Sequence, residues 1–107
     1  MSFLSRKDEF QKINHRYPHL VPVIISPGTD STPVIDKQKF LVPPDVKCSQ
    51  LIWVIRKRLD MKPSDGLYLL CQKCPLWGEQ RIGDLQKFKS DEDGFLYIDY
   101  ALESTFG

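Results

Sequence analysis

Apolar positions along the 107-residue chain change period several times, and each change marks an element. From Ser5 to Arg16 they recur at helical spacing. Phe10, Ile13 and Tyr17 form one stripe, Phe3 extends it, and Ser5 with Asp8 has the shape of a capping box. Tyr17-Pro18 ends this helix, because the residue before proline is pushed out of the α region. Leu20 to Ser26, LVPVIIS, is rich in β-branched residues and predicts a strand, although Pro22 within it argues for an edge or a bulge. PGTDSTP reads as a loop that reverses the chain into a second, antiparallel strand over Val34 to Val42. Lys37 and Lys39 share one side of that pleat. Lysines blunt an exposed strand edge against aggregation, and the same lysines can meet an acidic partner that adds its own strand.

Pro43-Pro44 breaks the pattern before the most apolar helix, in which Cys48, Ile52, Ile55 and Leu59 are spaced as a core-facing stripe. Leu51 and Val54 lie beside that stripe and Trp53 further round. The helix therefore has more apolar surface than one face can bury, and either a second layer or a partner must cover the rest. Its last turn carries Arg56, Lys57 and Arg58, which suits the negative end of the helix dipole. Gly66 to Cys71, GLYLLC, predicts a strand buried on both faces. Ile82 to Phe88 predicts a short helix, SDEDG a loop, and Phe95 to Tyr100 the final strand, followed by an aperiodic tail over 101–107. Few helices among strands with mixed connections imply a single α+β domain over 1–107, with helices on one side of a mixed sheet.

Composition narrows the function classes. A net charge of +1 disfavours a dedicated nucleic-acid binder. The N-terminus lacks the apolar stretch of a secretory signal, and the run from Leu51 to Ile55 is far too short to span a bilayer. Three cysteines suggest no tight disulfide framework, so the default compartment is the cytosol. Cys71 and Cys74 form a lone CxxC. A structural zinc site needs four ligands, and nothing in the spacing brings Cys48, His15 or His19 to this pair, so no metal is expected. No nucleophile motif or phosphate-binding glycine loop is present, and Asp91, Glu92 and Asp93 read as solvated loop residues. No cofactor is implied, and an enzyme is not expected.

The blocks RYPHLVPVI, DKQKFLVP, VIRKRL, DEDGFLYIDY and the final Phe-Gly resemble the autophagy ubiquitin-like modifiers of the GABARAP type, over nearly the whole chain from about Phe3 to Gly107. The resemblance implies a ubiquitin-like β-grasp: a four-stranded mixed sheet with helices packed on it and an N-terminal helical extension over 1–17. In it Leu20–Ser26 and Phe95–Tyr100 are central and parallel, Val34–Val42 lies at an edge, and Pro22 sits in an inner strand. It also implies that the Gly107 carboxylate is adenylated by an activating enzyme and passed to a conjugating enzyme. From there it is joined to phosphatidylethanolamine on autophagosomal membranes. Two acyl chains, at ~0.8 kcal/mol per buried CH₂, anchor such a conjugate firmly. Two alternatives stand beside this reading: a related modifier joined to a protein lysine, and an unconjugated peptide-binding adaptor.

Carried over residue by residue, the resemblance implies a groove for receptor segments of the acidic aromatic-x-x-aliphatic type. The aromatic pocket falls to Glu9, Ile13, Pro22, Lys39, Leu41 and Phe95. The aliphatic pocket falls to Phe40, Val42, Pro43, Val46, Leu51 and Val54, with Leu51 and Val54 as the uncovered face of the central helix. Lys37, Lys39 and Arg58 meet the acidic flank. Burying two such side chains contributes roughly 1.5–3 kcal/mol each, towards the ~8 kcal/mol of a micromolar contact. The chain departs from the family pattern in three places. It starts about one helix late, it has Leu20 where a basic residue is usual, and it carries QKCPLWG after the third strand, which leaves Trp77 exposed.

Overall fold

The computed structural model describes residues 3–103. In chain order the elements are α1 (Phe3–Arg16), β1 (Val21–Pro27), β2 (Lys39–Val42), α2 (Cys48–Arg58), β3 (Leu67–Cys71), β4 (Cys74–Pro75), α3 (Ile82–Lys89) and β5 (Leu96–Leu102). The strands form one mixed sheet in the order β2-β1-β5-β3-β4, with β1 and β5 parallel at its centre and the other pairs antiparallel. This is the α+β ubiquitin-like arrangement, with five strands rather than the four expected.

The sheet separates two layers. On one face Val21, Val23 and Ile25 of β1, Leu69 of β3 and Leu96, Ile98 and Tyr100 of β5 meet Cys48, Leu51 and Ile55 of α2 and Ile82 and Leu85 of α3. Alternate residues on the other face, Ile24 of β1 and Phe95 just before β5, are buried at 4% and 1% exposure. Phe10 of α1 packs on Phe95 edge to face, at 5.7 Å between ring centroids. Gly94, at φ +101°, lies directly beneath Phe10, where any Cβ would collide with the phenyl ring. α1 buries none of its own residues fully, so it covers this face lightly and leaves a cleft beside it.

Pro22 sits in an inner strand without losing a ladder bond. The Ile25 N–H donates towards β2, to Gln38 O at 2.7 Å. Amide direction alternates along a strand, so the position of Pro22 faces β5, whose pairing with β1 begins only at Val23.

The expected second strand over Val34 to Val42 shortens to Lys39–Val42. The missing half is held differently. The Tyr100 hydroxyl, buried, accepts from Ile35 N–H at 2.9 Å and donates to Pro33 O. β3 buries alternate residues rather than both faces, leaving Tyr68 and Leu70 half-covered on the face turned away from α2. Ser5 lies inside α1 rather than capping it. Ala101 and Leu102 belong to β5, so the tail begins later than expected, and Gly107 lies outside the described residues.

α2 opens with Gln50 accepting from Lys47 N–H at 2.9 Å. It closes on Asp60 at φ +52°, with Met61 N–H returning to Arg56 O. Its basic end is engaged locally. The Arg56 guanidinium donates to Lys62 O at 2.9 Å and to Asp65 O, and Lys57 stacks on Trp53 at 4.0 Å.

Candidate functional site

β2 terminates the sheet, and its outer edge borders a cleft whose opposite wall is α1. The cleft has a volume of about 380 Å³ and is lined by Ile13 of α1, Pro22 and Val23 of β1, Lys37, Lys39, Phe40 and Leu41 of the β2 segment, and Phe95. Five of the six residues expected at the aromatic pocket therefore converge on one cavity. Glu9, the sixth, stands at its rim and binds Lys39 Nζ through Oε2 at 2.6 Å. Its Oε1 is buried without a hydrogen-bond partner.

The floor is apolar because Pro22 of β1 and Phe95, just before β5, meet there. The mouth is cationic because β2 alternates sides. Leu41 is 40% exposed and Val42 points into the core. Phe40 is half-buried under two cations, Lys37 Nζ at 5.2 Å and the Arg58 guanidinium at 5.3 Å from the ring centroid. Arg58 also reaches Asp36 at 3.2 Å. Three positive groups thus stand around β2, Lys37 and Lys39 on its own segment and Arg58 from the end of α2, each held in place by an aromatic ring or a carboxylate. Such an edge can pair with an extended acidic segment while a bulky side chain enters the cleft.

The six residues expected at the aliphatic pocket are not gathered in the same way. Leu51 is 3% exposed and belongs to the core, so it is not part of an uncovered helix face. The stripe of α2 runs Cys48, Leu51, Ile55, with Ile52 and Leu59 only partly covered. Val42 is likewise core, Val46 and Phe40 are half-buried, and Pro43 and Val54 are exposed. The cavity that Val54 lines opens on Ser49, Gln50 and Trp53. Trp53 and Trp77 are exposed, the latter as expected.

Sequence reasoning missed the support behind Phe95. Asp93 is buried, not solvated. Its carboxylate accepts from Phe95 N–H at 2.9 Å and from the Tyr97 hydroxyl at 2.5 Å. Burial and then this hydrogen bond push the Tyr97 phenol up to about 12. Arg6 lies over the Phe95 ring, 5.8 Å from its centroid. The helical spacing of Arg6 and Phe10 (i, i+4) was the signal that both face the same ring.

No three His, Cys, Asp or Glu residues are gathered to hold a metal among the described residues, and no described helix is long and apolar enough to cross a membrane.

The same fold is found in known proteins. The family model for the ubiquitin-like autophagy protein Atg8 matches residues 5–107. Autophagy-related protein 8 of Mycosarcoma maydis is 36% identical over 107 residues, covering 99% of this chain and 91% of that protein. Autophagy-related protein 8e of Arabidopsis thaliana is 40% identical, covering 98% and 87%. The crystal structure of Trypanosoma brucei ATG8 superposes with a TM-score of 0.90 at 32% identity, covering 100% of this chain and 93% of that one. On sequence and fold alike, this chain belongs to the Atg8 family of autophagy ubiquitin-like proteins.

Proposed function

We propose that this Atg8-family chain is joined through the Gly107 carboxylate to phosphatidylethanolamine. On the autophagosomal membrane it then captures receptors that carry an acidic aromatic-x-x-aliphatic segment. It acts as the substrate of activating and conjugating enzymes, and catalysis is theirs. Glycine suits that role because a residue without a side chain can thread a narrow active site. Unconjugated it is cytoplasmic, and it binds no nucleic acid.

One observation carries the receptor half of the reading: an apolar cleft floored by Pro22 and Phe95 opens beside the terminal strand β2, with Lys37 and Lys39 along its lining and Arg58 of α2 over Phe40. The aromatic side chain of the segment fills the cleft, its backbone extends the sheet along β2, and its acidic flank meets the cations. The aliphatic side chain lies between β2 and α2, over Phe40, Pro43, Val46 and Val54, with the buried Val42 and Leu51 beneath.

The test is fluorescence anisotropy with a labelled acidic Trp-x-x-Leu peptide. Leu41→Ala and Lys39→Glu change exposed groups, so the fold is expected to survive both. Each should weaken binding by at least ~tenfold, the equivalent of ~1.4 kcal/mol. Unchanged affinity in both folded variants would refute the groove. Leu51→Ala is unsuitable as a probe, because at a core position it costs about 2–5 kcal/mol of stability.

A further inference from the structure

We propose that Cys71 and Cys74 are a reversible thiol-oxidation site, closed to an intramolecular disulfide by hydrogen peroxide. The inference is independent of the proposed conjugation and of the groove.

The two cysteines are direct cross-strand partners in the β3–β4 hairpin. The two residues between them, Gln72 and Lys73, both have positive φ, +52° and +66°, which is the tight two-residue turn that brings strand ends face to face. Cross-strand partners point to the same side of the sheet and hold their Cα atoms ~4.5–5.5 Å apart, within the ~4.4–6.8 Å range that a disulfide spans. Their Cβ atoms stand about 4.5–5.5 Å apart in such pairs against ~3.8 Å in a disulfide, so closure draws the hairpin end in by about an ångström. β4 can make that movement: it is two residues long and lies at the edge of the sheet.

The two thiols differ in access. Cys74 is exposed, whereas Cys71 is 1% exposed and faces the core. Burial pushes the Cys71 thiol up, and that of the neighbouring, fully buried Cys48 to about 11. Oxidation therefore starts at Cys74, the only one of the three that a solution oxidant reaches directly. The Cys74 thiolate attacks one peroxide oxygen and the O–O bond breaks. The departing hydroxide takes a proton and leaves as water, and Cys74 becomes a sulfenic acid. The Cys71 sulfur then attacks the Cys74 sulfur and displaces its hydroxyl, which leaves as a second water with the Cys71 proton. Two thiols and one peroxide give one disulfide and two waters. Two-electron reduction by an external dithiol restores both thiols.

The sequence makes the product easy to assign. Trypsin cuts after Lys47, Arg56, Arg58, Lys73 and Arg81, while Pro63 protects Lys62, so the three cysteines fall in peptides 48–56, 59–73 and 74–81. The purified full chain is exposed to hydrogen peroxide, alkylated, digested without reduction and examined by mass spectrometry. The proposal expects peptides 59–73 and 74–81 to be joined, released by dithiothreitol, at a yield independent of protein concentration. A joined 48–56 and 59–73 pair, a dimer through two copies of Cys74, or Cys74 overoxidised while Cys71 remains alkylatable after unfolding would each overturn it. Cys74→Ser, a surface change whose fold is checked by near-UV circular dichroism, should slow oxidation of Cys71 by at least ~tenfold. Oxidation of Cys71 at the wild-type rate in that variant would also overturn the proposal.

Discussion

Tyr100→Phe isolates the contact that shapes the groove's cationic mouth from a distance. The ring of Tyr100 is fully buried, and its hydroxyl accepts from Ile35 N–H and donates to Pro33 O, 65 and 67 residues back along the chain. Phenylalanine keeps the packing and removes both bonds. The Ile35 amide is then left without its partner in a residue only 2% exposed. A buried donor stranded in this way costs about 1–3 kcal/mol. In a domain of this size that lowers Tm by roughly 4–8 °C for each 1 kcal/mol. The loss is local as well as global, because Asp36, Lys37 and Lys39 follow directly from the tethered segment. The prediction is a lower urea midpoint at unchanged m-value, faster hydrogen exchange at Ile35, and weaker peptide binding even well below the unfolding transition. An unchanged midpoint with Ile35 still protected would refute the role of this clamp.

Four further outcomes follow from the same contacts. Gly94→Ala places a methyl group against the Phe10 ring at a φ that disfavours any side chain, so it should destabilise the chain and lift α1 from Phe95, read as loss of protection in α1 by hydrogen exchange. Asp60→Gly should raise the urea midpoint by the equivalent of about 0.5–1 kcal/mol, since Asp60 ends α2 at a left-handed φ that glycine adopts freely. Cys48 and Tyr97 have folded pKa values raised to about 11 and about 12, from 9.0 and 10.0, so the folded state holds both protons more tightly. Their stabilising contribution is complete below pH 9 and is lost as pH rises from 9 to 12, so the urea midpoint should fall over that range and fall less in Tyr97→Phe. Native alkylation with iodoacetamide near neutral pH should label Cys74 alone, with Cys48 and Cys71 reacting only on unfolding.

Period and punctuation made most of the fold legible. The β-branched run at β1, the Pro-Pro break before α2 and the turn-bounded FLYIDY block each report local preferences that the tertiary structure keeps. The misses occur where a distant group overrides a local signal. Val34 to Gln38 has strand-like composition, yet β1 reaches it only at Gln38, through the Ile25 N–H, while the Ile35 amide bonds to the Tyr100 hydroxyl. β4 went unseen because Gln72-Lys73 carries no glycine or asparagine to announce a turn with two positive φ values. Leu51 belongs to the core rather than to the outside of α2, and spacing alone cannot say how wide an arc of helix the sheet covers. Five of the six residues that the family resemblance assigns to an aromatic pocket line one cleft, because the resemblance supplies a register that periodicity cannot. The Asp93 carboxylate beneath Phe95 was not legible, since a charge run in a loop gives no sign that one member turns inward to accept from Tyr97.

The proposed conjugation through Gly107 is tested most directly by an adduct assay in cells. Tagged protein is expressed beside Gly107→Ala, and membrane fractions are treated with phospholipase D. A faster-migrating band that requires Gly107 and is removed by the lipase is the predicted result. A larger Gly107-dependent adduct that resists the lipase, or no adduct at all, would contradict lipid conjugation. The first would indicate a modifier joined to a protein lysine, and the second an adaptor that works through its groove alone.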